Sequence, residues 1–207
     1  MKDIKDESIF PKERLAGLCD GIFAITMTLM ILDLKAPENI PLNLASEELP
    51  SAIFNLLPTI EAYVISFFVL GIFWARHQLQ FNFFDAVDRV IIILNILFLL
   101  LIGFVPFTVG LKKDYPAVQF PFILYVSNLT VISLILSLQW EYALKKKFII
   151  RDELSSLVKK RFFMMSVIPI LIFAAAFIVS FFHVRLAFLT IYLFPVFYVL
   201  SKKIVKE

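Results

Sequence analysis

The chain has 207 residues, 60% of them hydrophobic and 18% charged, with a net charge of +3 and a mean hydropathy of +0.88. That composition excludes a soluble domain, and the net charge is too small to suggest a nucleic-acid binder. The single cysteine, Cys19, excludes an internal disulfide and any two-cysteine redox or zinc motif.

Six apolar stretches bounded by charge or proline are long enough to cross a bilayer as helices: Arg14 to Leu34, Pro58 to His77, Arg89 to Val109, Ala117 to Leu144, Phe162 to Phe182 and Val184 to Leu200. The fold class read from them is an all-α integral membrane protein, a single domain of six transmembrane helices over residues 1–207. Phenylalanine (24) far outnumbers tyrosine (6) and tryptophan (2), which suits side chains that find no hydrogen-bond partner in lipid. The first apolar stretch is longer than a signal core and lacks a small-x-small cleavage pattern, so it reads as a retained helix. Between the first two helices, Ala36 to Asn55 reads as a surface loop, with a short interfacial helix over Ala45 to Leu57. Residues Lys145 to Arg161 read as a charged linker or amphipathic helix that serves topology and anionic-lipid contact, and the four residues Phe182 to Arg185 force a tight hairpin between the last two helices.

An even number of spans puts both termini on one side. That side carries 16 of the 20 basic residues, and the other has only Lys35, Lys112, Lys113 and Arg185. The positive-inside rule therefore predicts a multi-pass protein of the cell membrane with both termini in the cytoplasm. Trp74 and Trp140 fall near the predicted inner boundary, as an aromatic belt would have them.

One carboxylate lies inside the first apolar stretch. Asp20 is six residues in from Arg14, ~9 Å at the helical rise, and Asn95 is six residues in from Arg89 on the same side. His77 ends the second helix from that side, one turn beyond Trp74. A carboxylate in low dielectric needs a cation or several donors. Arg14, Trp74, His77 and Asn95 supply such a set and are expected to form a polar network with Asp20.

At ~100° per residue, Leu18, Ile22, Ile25, Leu29 and Leu32 form one apolar stripe, and Asp20 stands ~140° round from Ile25. The stripe and the acid therefore look at different neighbours. Gly17, Gly21 and Ala24 make a small-residue row that lets another helix approach closely.

The register Arg14, Leu18, Cys19, Asp20 followed by Gly21-Ile22-Phe23-Ala24-Ile25, together with Trp74, His77, Asn95 and Pro106, resembles the transmembrane protein 175 family of lysosomal and prokaryotic potassium channels. Leu18 and Cys19 stand where that family's motif has phenylalanine and serine. The cysteine is near-isosteric with serine but a weaker donor, which loosens the expected network.

The resemblance implies a potassium-permeable leak-type channel without a pore-loop filter. First helices from the subunits of a homotetramer would line the pore. By register, Ile25 would be the principal apolar constriction, with Leu29 and Leu32 as further rings and Thr28 as a nearby hydroxyl layer. Cys19 joins the structural network in that reading, and Asp33 is the candidate for the outer pore mouth. The implied partners are potassium ions, further copies of the chain and the lipid bilayer; no nucleic acid, cofactor or resident metal is implied. Thr108-Val109-Gly110 carries no filter, because Leu111 and Lys112 follow where a tyrosine and a second glycine are required. The rival reading is a proton-coupled secondary transporter in which Asp20 and His77 titrate. An enzyme is not expected: His77 and His183 fall on opposite membrane sides, and Cys19 has no base but His77.

Overall fold

Continuous apolar sequence satisfies its backbone internally as helix, and the computed structural model is helical over each apolar stretch among the described residues. It describes residues 12–38, 40, 41, 43–85, 87–146 and 155–201; the side chains of Asp33 and Leu157 lie outside it. The helices are α1 (Lys12–Leu29), α2 (Ala45–Asn55), α3 (Leu57–Phe81), α4 (Arg89–Asp114), α5 (Gln119–Lys145), α6 (Ser156–Ser180), α7 (Val184–Ile191) and α8 (Leu193–Ser201). Six segments are long and apolar enough to cross a membrane, so the chain is a multi-pass membrane protein.

The spans differ from the sequence reading mainly at their ends. α1 passes into a 3₁₀ turn over Met30–Asp33. α3 runs four residues past His77, and α4 continues beyond Val109 to Asp114. The last span breaks at Tyr192 because Pro195, lacking an N–H, cannot bond the carbonyl of Ile191. The short helix expected between the first two spans is α2; its side chains are exposed or half-buried, and it turns into α3 at Leu56.

Side chains cap several ends. Asp88 begins α4, its Oδ1 accepting from the Ile91 amide at 3.0 Å and its Oδ2 from the Tyr142 hydroxyl at 2.6 Å. Ser155 caps α6 and His183 caps α7. The Lys12 ammonium donates to the Phe84 carbonyl at 2.5 Å, tying the start of α1 to the α3–α4 connection. These contacts place the N-termini of α1 and α4 at the same end of the bundle as the C-termini of α3 and α5.

The core is aromatic. Phe73, Phe173 and Phe194 meet at centroid separations of 5.2–6.3 Å, joining α3, α6 and α8. Trp140 is 1% exposed and stacks on Phe162 at 3.7 Å, so it packs α5 on α6 and does not serve an interfacial belt. Trp74 is 41% exposed, and its indole is committed to a side chain of α1.

α1 contributes one row to this core: Cys19, Phe23, Thr26 and Met30, spaced four, three and four. Leu15, Ala16, Ile22 and Met27 pack partly against it, and Leu18, Ile25 and Leu29 are exposed.

Candidate functional site

α1 presents three directions, each with its own chemistry. The row that faces the bundle begins with Cys19, which is fully buried. The Cys19 Sγ lies 3.5 Å from His77 Nε2 and accepts from the Asn95 amide nitrogen at 3.1 Å. Asn95 Oδ1 lies 2.8 Å from His77 Nε2, so that nitrogen carries the proton in this arrangement. Gln139 of α5 donates to the same Oδ1 at 3.5 Å. His77, Asn95 and Gln139 are all fully buried. The His77 ring stacks between Phe81, at 4.1 Å, and Phe98, at 5.3 Å, and Phe98 in turn meets Phe23 of α1. Four helices are thus tied at one level by side chains whose polar atoms have no access to water.

Asp20, the next residue, is rotated ~100° from Cys19 and belongs to a second, more exposed group. Its Oδ1 accepts from the Trp74 indole at 2.7 Å and from the Gln78 amide, one helical turn further along α3. The sequence reading gathered Arg14, Cys19, Asp20, Trp74, His77 and Asn95 into one network. The structure divides them, giving His77 and Asn95 to Cys19, and Trp74 with Gln78 to Asp20. Arg14 joins neither group: it is exposed, forms no ion pair with Asp20 among the described residues, and stands ~240° round the helix from it. Gln78 and Gln139 escaped the sequence reading. Gln78 could have been found by its four-residue spacing from Trp74.

The third direction is the apolar stripe. Ile25 is 59% exposed, Leu29 48% and Leu32 69%, with Leu18 on the same side. Ile22 departs from the predicted stripe, being half-buried against the core. Thr28 is exposed, and its hydroxyl donates to the carbonyls of Ala24 at 2.8 Å and Ile25 at 2.9 Å. Its proton is therefore spent on its own helix, and the lone pairs of its oxygen face outward. Gly17 and Gly21 lie beside the stripe, and a Cβ at either would meet nothing within 4 Å. The Asp33 side chain, the pore-mouth candidate, lies outside the described residues.

A second polar cluster lies toward the opposite end and was not anticipated. Tyr192 donates to Glu61 at 2.7 Å, and the Lys112 ammonium sits 3.4 Å from the centroid of the Phe188 ring, together linking α3 to Tyr192 beside α7 and α4 to α7.

A bundle of six apolar spans that ties one helix in by a buried polar set, and leaves that helix's apolar stripe exposed, defines a multi-pass helical membrane protein. Residues 14–106, a little under half of the chain, match the family model described as the endosomal/lysosomal potassium channel TMEM175. Relatives include a potassium channel of Streptomyces collinus, 35% identical over 49% of this chain and 48% of that one. A human protein, the endosomal/lysosomal proton channel TMEM175, is 26% identical over 91% of this chain and 38% of its own length. The chain thus spans about half or less of these curated relatives. A crystal structure of a lysosomal potassium-selective channel TMEM175 homologue from Chamaesiphon minutus shares the fold with a TM-score of 0.77 and 24% identity, covering 91% of this chain and 96% of that one.

Proposed function

We propose that the chain is one subunit of a homotetrameric, potassium-permeable leak-type channel of the cell membrane, and not an enzyme, with α1 lining the pore and Ile25, Leu29 and Leu32 forming its apolar constriction. The observation that carries the reading is the open stripe: α1 exposes Ile25, Leu29 and Leu32 while Cys19 and Asp20 are fastened to α3 and α4 on other faces. The Streptomyces relative is a potassium channel and the Chamaesiphon homologue a potassium-selective channel, which supports the same reading.

In a four-fold ring, the direction from one helix to its neighbour lies about 45° from the direction to the axis. With the stripe facing the axis, Gly21 falls on one such contact direction and Ile22 on the other, ~100° apart on the wheel. A side chain of one subunit can then seat on the bare glycine backbone of the next. A narrow apolar ring excludes water when closed, and widening by an ångström or two admits a partly dehydrated ion, with potassium shedding water at lower cost than sodium. Thr28, with its oxygen lone pairs outward, offers a polar layer within the apolar run. The preponderance of basic residues at one end favours cytoplasmic termini. On this reading Asp20 and the buried set hold α1 in azimuth and do not touch the ion.

The test is flux from liposomes containing purified protein. Wild type is expected to pass potassium faster than sodium, and Ile25→Asn, whose polar ring stays wet, to leak both ions and lose the preference. Identical currents and selectivity in the two proteins would refute the pore assignment, and uptake requiring a proton gradient would favour the transporter reading.

A further inference from the structure

Arg76 was counted among the charges that set topology, yet it is one of the largest fully buried side chains, 2% exposed on α3 and five residues before the helix ends at Phe81. Its Nη2 donates to Ser137 of α5 at 3.2 Å and to Ser166 of α6 at 3.1 Å. Its Nε and Nη1 have no acceptor among the described residues, and no described carboxylate pairs with it. The two serines differ. The Ser137 proton is spent on the Ser133 carbonyl at 2.7 Å, whereas the Ser166 proton has no acceptor among the described residues.

A guanidinium keeps its charge in such a place, and neutral hydroxyls spread that charge without cancelling it. Water would satisfy the two nitrogens but leave the charge uncompensated in low dielectric. A negative charge is what the cluster lacks, and its donors, Nε, Nη1 and the Ser166 hydroxyl, are those that bind anions. Arg76 is 2% exposed and enclosed by three helices, which favours a compact monatomic anion over a phosphate head group. We infer that Arg76, with Ser166, forms a chloride site between α3, α5 and α6, on the side of α3 turned away from α1. The chloride is a structural counter-ion of the bundle and lies off the proposed ion path, so the site stands or falls independently of the channel reading.

The test is thermal unfolding of the purified full chain in potassium chloride against potassium gluconate at equal ionic strength. Chloride is expected to raise the midpoint saturably, by roughly 5 °C or more at high occupancy, and Arg76→Gln to abolish that response. Because Arg76→Gln can fail to fold, Ser166→Ala is measured alongside; it keeps the arginine and is expected to raise the half-saturating chloride concentration about tenfold. Bromide-exchanged crystals should give an anomalous peak beside the guanidinium. Equal midpoints in the two salts for wild type, or an undiminished chloride response in both variants, would overturn the site. So would restored stability on pairing Arg76→Glu with a basic residue at Asp152 or Glu153, since that would make the arginine's partner a carboxylate of the chain.

Discussion

Asn95 is the junction of the buried set, and Asn95→Leu removes it with little change in volume. The substitution deletes the acceptor of the His77 Nε2 proton at 2.8 Å, the donor to Cys19 at 3.1 Å and a long contact with Gln139 at 3.5 Å. The last is at the limit of a hydrogen bond and carries little. The His77 proton is the costly loss. His77 is fully buried between two phenylalanine rings and has no other oxygen within reach among the described residues, so the penalty is that of a stranded donor, about 1–3 kcal/mol. Adding the weaker bond to sulfur brings the expected loss to about 2–4 kcal/mol, and the average membrane value of ~0.6 kcal/mol per bond still gives about 2 for the three together. Reversible unfolding in bicelles measures the quantity directly. A double-mutant cycle with Cys19→Ala should return a coupling of about 0.5–1 kcal/mol, because the two side chains share one bond and one histidine. A loss below ~0.5 kcal/mol for Asn95→Leu would mean that these groups are neighbours without being partners, and the argument that α1 is fixed by them would fail.

Two further outcomes separate subunit stability from assembly. Gly21→Leu adds a side chain where nothing of the same subunit stands within 4 Å, so subunit unfolding should be unchanged or slightly improved while the tetramer fraction in native mass spectrometry falls; a subunit destabilised with assembly intact would contradict the proposed contact. Asp20→Ala strands the Trp74 indole and the Gln78 amide, both partly reachable by water, for a cost of about 1–2 kcal/mol, and should lower tetramer yield more than conductance per channel. Stable tetramers with altered ion preference would instead put Asp20 in the permeation path.

The sequence reveals depth far better than direction. Counting residues inward from Arg14 and Arg89 puts Asp20 and Asn95 at one level, and the structure finds Cys19, His77, Asn95, Trp74 and Gln78 there. Counting does not say which neighbour lies on which side of α1, and so it assigned His77 and Asn95 to Asp20 when they serve the adjacent Cys19. A carboxylate attracts attention as the group needing partners, while a cysteine looks apolar; yet the fold buries the cysteine completely and leaves the acid exposed. Trp140 shows the same limit. Its position along the helix suits a membrane boundary, but its azimuth turns it into Phe162. The break at Tyr192 was not legible from Pro195 alone, because Pro106 and Pro169 sit inside the continuous helices α4 and α6.

Direction along α1 is nevertheless what the proposed function depends on, and the helix encodes it by the choice of fastening. Its buried row is fixed by bonds that fail if the helix rotates: at 100° per residue, a turn of one position would bring Asp20 to Asn95 and His77 and point Cys19 away from both. A purely apolar row would tolerate that slip, because leucine and isoleucine pack nearly as well against lipid-soluble neighbours after rotation. A polar row does not, since rotation breaks the Cys19–Asn95 bond and the Asp20 bonds to Trp74 and Gln78 and carries the Asp20 carboxylate into the buried set. The same rotation that strands them would turn Ile25 by a similar angle from its present outward position. On the proposed reading, the buried set of Cys19, His77, Asn95 and Gln139, remote in direction from the stripe, would decide which side chains an ion meets.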